Sequence, residues 1–244
     1  MKTIVLAAGL SKRLGELTKE KPKCLLEVGN TTIFERTIQA CAQLKLNDLV
    51  IVTGHGADYI DRQLSEIRCR SWASDLKIVP VFNAKYATIN NCYSLLLGLP
   101  QKEQPVIIIN SDDIFDSRIL KGISAEGPTR LVIDNVKQLT EESMKVYMNN
   151  DRICRISKAL DIQTSAGEYI GLAQIAGKDI SQLRTLLEEV VADNPNGFYE
   201  NAFDLMFERT EIYPWFTDGL QWTEIDTKED LDFAMSLVKG DTLK

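Results

Sequence analysis

Short apolar runs, each four or five residues long and rich in Val and Ile, recur at residues 3–6, 49–52, 78–82 and 106–109. Runs of that length, bounded by polar residues, read as buried strands. Between the first two, Thr32, Ile33, Phe34 and Glu35 have the S/T-x-x-E form of a capping box, and Phe34, Ile38, Cys41 and Leu44 then repeat at helical spacing. Ile60, Leu64 and Ile67 do the same between the second and third runs. Strands alternating with helices predict right-handed crossovers and a largely parallel sheet covered on both faces.

The pattern changes after Asp113. Residues 131–134, 145–148, 153–157 and 169–173 read as closely spaced strands with little helix between them, which predicts a mixed or antiparallel lobe. Helical spacing returns at 180–191 and 198–207, and a strand at 221–225 and a helix at 228–238 complete the pattern. No repeat, low-complexity tract or linker interrupts it, so the second half is expected to pack onto the same sheet and residues 1–244 to form a single domain.

Composition narrows the function classes. An apolar content of 44% with 26% charged residues is that of a globular protein and excludes disordered or collagen-like readings. The net charge of −7, from 28 Lys plus Arg against 35 Asp plus Glu, gives no footprint for a nucleic acid backbone. Positive charge is nevertheless concentrated in residues 10–23, where Lys12, Arg13, Lys19, Lys21 and Lys23 face only Glu16 and Glu20, which favours a small anion as partner. The five cysteines contain no C-x-x-C pair and fit a reducing cytoplasm. The apolar run that ends at Ala8 is too short for a signal segment or a membrane span, so neither a leader nor a membrane partner is expected.

The strongest local signal is a strand followed by Ala7-Ala8-Gly9-Leu10-Ser11-Lys12-Arg13 and a polar stretch to Lys23. Ligands of open parallel sheets bind beyond the carboxyl ends of strands, where this loop would sit. Small residues let the backbone N–H groups from Leu6 through Lys12 approach a base or phosphate, and Arg13 and Lys23 supply donors for phosphate oxygens. Neither G-x-G-x-x-G nor G-K-[ST] is present, so a solvated surface loop is the alternative. Asp112 and Asp113 end the fourth strand, and Asp226 lies between a strand and a helix; together they suit Mg²⁺, though singly each fits a turn or an N-cap. His55, the only histidine, has no G-x-S-x-G partner; with Gly54 it reads as a turn or a nucleotide-edge contact. Tyr86, Asn91 and Ser94 bring hydroxyl and amide groups that could read a base or hold an acceptor, with Asn90 or Asn91 equally suited to capping a helix. Phe198-Tyr199-Glu200-Asn201 could hold a cation by ring and charge, or could be core packing beside a surface acid.

Taken together, residues 6–14, Thr18, Pro22-Lys23, Leu25 and Val28 resemble the signature of the sugar-phosphate nucleotidyltransferase superfamily. Residues 82–95, the strand ending at Asp112 and residues 224–231 resemble, in order, bacterial cytidylyltransferases acting on choline phosphate and related small phospho-compounds. The loop departs from the common pattern at Ser11 and Glu16, neither of which removes a charged group. The resemblance implies an α/β, Rossmann-like mixed, mainly parallel sheet with helices on both faces and a small antiparallel acceptor-binding lobe. Residues 1–113 would bind nucleotide and 114–244 the acceptor. Leu6, Ala7, Ala8, Gly9, Ser11, Lys12, Gly54, Tyr86, Asn91 and Ser94 would hold the nucleotide, with Arg13 and Lys23 as catalytic cations and Mg²⁺ on Asp112 and Asp226. For the acceptor, Tyr199 and Glu200 resemble the segment near a choline site, whereas Lys145, Lys158 and Glu168 look more like relatives that use inositol phosphate or aminoethylphosphonate. Two lysines suit an anion better than a quaternary ammonium.

The expected reaction is transfer of CMP from CTP to a small phosphate or phosphonate acceptor, releasing pyrophosphate, by a cytoplasmic enzyme and possible homodimer. A sugar-1-phosphate nucleotidyltransferase using UTP, GTP or dTTP, a nucleotide-sugar-dependent glycosyltransferase and a nucleotide sensor without turnover are the competing readings. The glycosyltransferase would also hold a metal on strand-end acids but would not need Arg13 and Lys23.

Overall fold

The computed structural model describes residues 1–244 apart from Ser11, Glu20, Asp241, Thr242 and Lys244, with only the backbone of Lys12. The first strand, β1 (Lys2–Ala7), lies at the centre of the sheet, because every apolar residue in it has a buried partner surface on one side or the other. Ile4 and Leu6 face one core, and Val5 and Ala7 the other. A period of two in a run with no polar face is what a doubly covered strand requires.

A short hairpin of β2 (Glu27–Val28) and β3 (Thr31–Thr32) leads into α1 (Ile33–Gln43). Thr32 caps that helix by accepting from the Glu35 N–H. The expected reciprocal bond is not made, since the Glu35 carboxylate pairs with Arg70 instead. Then follow β4 (Asp48–Thr53), α2 (Ala57–Arg68) and β5 (Lys77–Phe82), with β4 parallel to both β1 and β5. The expectation that residues 78–82 are buried is wrong. Strand β5 is the sheet edge, so Val79 and Phe82 are exposed, and Pro80, which has no N–H to donate, is tolerated there.

The chain returns through α3 (Asn91–Gly98) to β6 (Val106–Asn110), which pairs parallel with the other side of β1. Three elements past Asp112, β7 (Asp113–Phe115), α4 (Ser117–Gly122) and β8 (Arg130–Asp134), precede the antiparallel strands β9 (Lys145–Asn149), β10 (Arg152–Ser157) and β11 (Gly167–Ile175). These strands do not form a separate layer: β11 pairs antiparallel with β6, so the sheet runs β10-β9-β11-β6-β1-β4-β5, with β8 also on β11. After α5 (Ile180–Asp193) and α6 (Tyr199–Met206) come β12 (Tyr213–Phe216), parallel to β8, then β13 (Trp222–Glu224) and α7 (Lys228–Lys239). Residues of α3, α5 and α6 join Ile4 and Leu6 in one core, and residues of α1, α2 and α4 join Val5 and Ala7 in the other. Each fully buried Ile or Leu contributes about 1.5–3 kcal/mol relative to exposure. No helix among the described residues is long and apolar enough to cross a membrane.

Candidate active site

The carboxyl ends of β1 and β6 open into a cavity of about 820 Å³, a size that takes a small-molecule ligand. One wall of it is the loop after β1: Leu6, Ala7, Ala8, Gly9 and Arg13 line it, joined by Tyr86, Asn91 and Ser94, all expected from the sequence to face a nucleotide. Gly54 lies behind that wall. A Cβ there would come within 2.6 Å of the Tyr86 side chain and 2.8 Å of the Ala8 carbonyl, so only glycine lets β4 and Tyr86 close against the loop. The assignment of Gly54 as a nucleotide contact is therefore corrected to a packing role. His55 is likewise used in the structure, its Nε2 lying 3.2 Å from the Thr18 carbonyl, away from the cavity. Ser11 and the side chain of Lys12 fall outside the described residues.

Asp112 and Asp226 meet although 114 positions separate them, because β7 and β13 form a short antiparallel ladder in which Asp113 pairs with Glu224. The Ile225 N–H donates to the Asp112 carbonyl and completes the junction. Thr227, not Asp226, caps α7, in a reciprocal arrangement with Asp230. That leaves the Asp226 carboxylate for the cavity. Lys23, on a tight turn after Pro22, is buried, and its Nζ lies 2.7 Å from both Asp112 Oδ2 and Asp226 Oδ1, with Glu224 Oε1 at 4.0 Å. Arg13 Nη2 reaches the other Asp226 oxygen at 2.7 Å.

Burial alone would lower the Lys23 pKa, but Asp112, Asp226 and Glu224 outweigh it and hold the ammonium above its ordinary value. Burial would likewise raise the Asp226 carboxyl, and Lys23 and Arg13 overcome it and hold it below its ordinary value. Glu224 goes the other way, its half-exposed carboxyl raised above the ordinary value by partial desolvation and by the neighbouring Asp112 and Asp226. Asp112, Glu224 and Asp226 place one oxygen each within 4.8 Å of one another, a hard-oxygen set that fits a small divalent cation. Glu224 was missed in the sequence. Its signal was present, since Trp222, Glu224 and Asp226 alternate with the buried Thr223 and Ile225 and so share a face. Asp113 turns inward instead, its Oδ2 buried without a hydrogen-bond partner among the described residues, and burial raises its pKa well above the ordinary carboxylate value. Gly171, at φ +79°, bends β11 past it; a Cβ there would sit 2.7 Å from that oxygen.

The opposite end of the cavity is lined by Lys137, Glu142, Lys158, Glu168, Glu200 and Trp222. Two residues expected there are not. Lys145 is fully buried, and its Nζ donates to the carbonyls of Thr140, Glu141 and Ser143 at 3.1, 3.1 and 3.3 Å. Its ammonium shapes the cavity-lining loop and is consumed in doing so. Tyr199 is also fully buried: its phenol donates to Asn110 Oδ1 at 3.0 Å and shares a bond with the Tyr169 hydroxyl at 3.2 Å, behind the cavity wall. Glu200 does line the cavity, and burial pushes its pKa up to about 7. Asn91 holds α3 to α6 by accepting from the Tyr199 N–H, while Asn90 is the cap of α3.

Charged groups at the ends of parallel strands, with a cation-hungry acid cluster beside them, suit a substrate rich in phosphate. Comparison with known proteins agrees. The chain is 25% identical over 259 residues to a CTP:phosphoglutamine cytidylyltransferase of Campylobacter jejuni, covering 95% of this chain and 98% of that protein. It is 23% identical over 246 residues to a choline-phosphate cytidylyltransferase of Streptococcus pneumoniae, covering 99% and 100%. Among solved structures, CTP:phosphocholine cytidylyltransferase from Streptococcus pneumoniae superposes with a TM-score of 0.79 at 22% identity, over 97% of this chain and 98% of that one. The inositol-1-phosphate CTP transferase from T. maritima gives 0.80 at 21%, over 98% and 96%. Residues 3–127 match the model of the MobA-like NTP transferase domain, and the chain belongs to that family of nucleotidyltransferases.

Proposed function

We propose that the protein transfers CMP from CTP to a small phosphate- or phosphonate-bearing acceptor and releases pyrophosphate. The observation that carries this reading is Lys23, a buried ammonium 2.7 Å from Asp112 and from Asp226 at the strand ends, beside Arg13. An acceptor phosphate oxygen forms a bond to the α-phosphorus of CTP while the bond to the β-phosphate oxygen breaks. No general base is required, because a phosphate monoester with a second pKa near ~6 is largely dianionic at neutral pH. Catalysis then consists of alignment and neutralisation of charge. Lys23, held above its ordinary pKa, stays cationic throughout the physiological range, and Arg13 offers a planar fork for phosphate oxygens. The loop from Leu6 to Gly9, with Tyr86, Asn91 and Ser94, holds the nucleotide, and Lys158, Glu168 and Glu200 face the acceptor.

Asp112, Glu224 and Asp226 would hold Mg²⁺, which when bound neutralises phosphate charge. The choice of CTP rests on relatives that are named for it. We read the chain as one domain, residues 1–113 providing the nucleotide side and 114–244 most of the acceptor side, working in a reducing cytoplasm.

Incubation with each of the four nucleoside triphosphates, Mg²⁺ and a panel of phosphocholine, aminoethylphosphonate, inositol phosphate and sugar 1-phosphates tests the proposal. Pyrophosphate should appear with CTP and an acceptor together. Absence of pyrophosphate from every free triphosphate would favour the glycosyltransferase or sensor reading, and preference for UTP, GTP or dTTP with a sugar phosphate would correct the substrate.

A further inference from the structure

Between the acceptor end of the cavity and solvent, Lys137 Nζ lies 4.7 Å from the centroid of the Trp222 ring and 3.9 Å from Glu168 Oε2. A flat aromatic face beside a carboxylate is the combination that attracts an organic cation. Here the protein supplies that cation itself.

The arrangement is held from several sides. Asp134, at the end of β8, accepts the backbone N–H groups of Val136 and Lys137 at 2.8 and 3.2 Å with one oxygen and the Trp222 indole N–H with the other. The loop carrying Lys137 and the ring beneath it are thus fixed by a single buried carboxylate. Glu168 Oε2 is buried with no hydrogen-bond partner among the described residues, so the nearby ammonium is its compensating charge. A second ammonium of the same end, Lys158, is paired with the largely exposed Glu142, a contact weak enough to exchange for a ligand.

We infer that Lys137 determines the acceptor class: it fills the Trp222–Glu168 seat that a quaternary ammonium would need, and with Lys158 it binds a carboxylate at the far end of the phospho-acceptor. This rests on the CMP-transfer reading above. A carboxylate accepts charge-assisted hydrogen bonds from both ammonium groups, whereas a trimethylammonium offers no acceptor and meets a seat already taken.

The test compares O-phosphoserine, phosphoethanolamine and phosphocholine as acceptors with CTP and Mg²⁺. The first pair differs by one carboxylate and the second by N-methylation. In the unaltered protein kcat/KM should favour phosphoserine over phosphoethanolamine by about tenfold or more, with phosphocholine poorest. Lys137→Met should bring the first ratio towards one, Lys137→Arg should keep it, and Lys137→Ala should gain activity with phosphocholine. Calorimetric titration with tetramethylammonium provides a readout independent of turnover: Lys137→Ala should bind it, the unaltered protein should not, and adding Trp222→Leu should abolish the binding. Equal use of phosphocholine and phosphoserine by the unaltered protein, or a first ratio that Lys137→Met leaves unchanged, overturns the inference. If no acceptor yields pyrophosphate, the CMP-transfer reading fails, while the titration still decides whether Lys137 blocks the seat.

Discussion

The two ends of the cavity use charge differently. At the end proposed for the nucleotide, Lys23 is buried among three carboxylates and Arg13 reaches one of them; Asp112 follows β6 of the main sheet, and Glu224 and Asp226 are brought to it by the two-stranded β7–β13 ladder. At the acceptor end, Lys137 and Lys158 are half exposed, and the fully buried groups, Lys145 and Tyr199, act from behind the wall. The end proposed to neutralise a triphosphate rests on regular backbone, because preorganised charge is worth most where it cannot relax. A site that sets the acceptor can change by altering loop residues over a fixed support.

Four changes sharpen that contrast, beginning with the largest effect. Lys23→Ala should lower pyrophosphate release by ~10²–10³-fold, the scale of losing a preorganised charge at the reacting group. Without Mg²⁺ the same variant should lose about 3–5 kcal/mol of stability, since Asp112, Asp226 and Glu224 are left without their common cation. Mg²⁺ should restore part of it in thermal melts; a melt indifferent to Mg²⁺ would argue against the metal assignment.

Glu200 gives an effect of pH. Burial raises its folded-state pKa from an ordinary 4.5 to about 7, so the folded protein binds more protons than the unfolded chain between those values. Its contribution is fully present below the unfolded pKa and is lost as pH rises through the folded one, on the order of 3 kcal/mol in all. Urea midpoints should therefore fall between about pH 5 and about pH 8, and Glu200→Gln should flatten that part of the profile.

Lys145→Met tests the support behind the acceptor end. Losing the ammonium frees three carbonyls, a cost of about 1–3 kcal/mol. If the cavity-lining loop they shape serves the acceptor, as proposed, the acceptor KM should rise while the KM for CTP holds; equal changes in both would count against a positioning role. The smallest effect is expected of Tyr199→Phe, which removes the bonds to Asn110 and Tyr169 but keeps the ring against Phe203. It should cost about 1 kcal/mol by denaturant unfolding and leave nucleotide use intact.

The cavity wall after β1 was legible because its signals are local. Gly9, Arg13 and Lys23 lie in one stretch after a strand, and a parallel sheet dictates which end of that strand faces ligand. Asp112 follows for the same reason. Trp222, Glu224 and Asp226 could have been read as one face of a short strand, yet only Asp226 was singled out, since three residues of alternation are a weak pattern. The acceptor end resisted reading. Lys145 and Lys158 look alike in the sequence, one consumed by carbonyls and the other open to the cavity, and Lys137 has no local mark at all.

By itself the sequence determined the alternation of buried strands and amphipathic helices, the parallel sheet they imply and the cationic loop at its edge. These follow from hydrophobic periodicity and strand chirality, which neighbouring residues carry. Tertiary structure alone decided that β5 is an edge, that β7 and β13 join Glu224 and Asp226 to Asp112, and that Asp134 sets Lys137 over Trp222. Each depends on contacts between residues far apart in the chain, where whether a charge is spent on the protein or left for a ligand is fixed by burial and not by residue type.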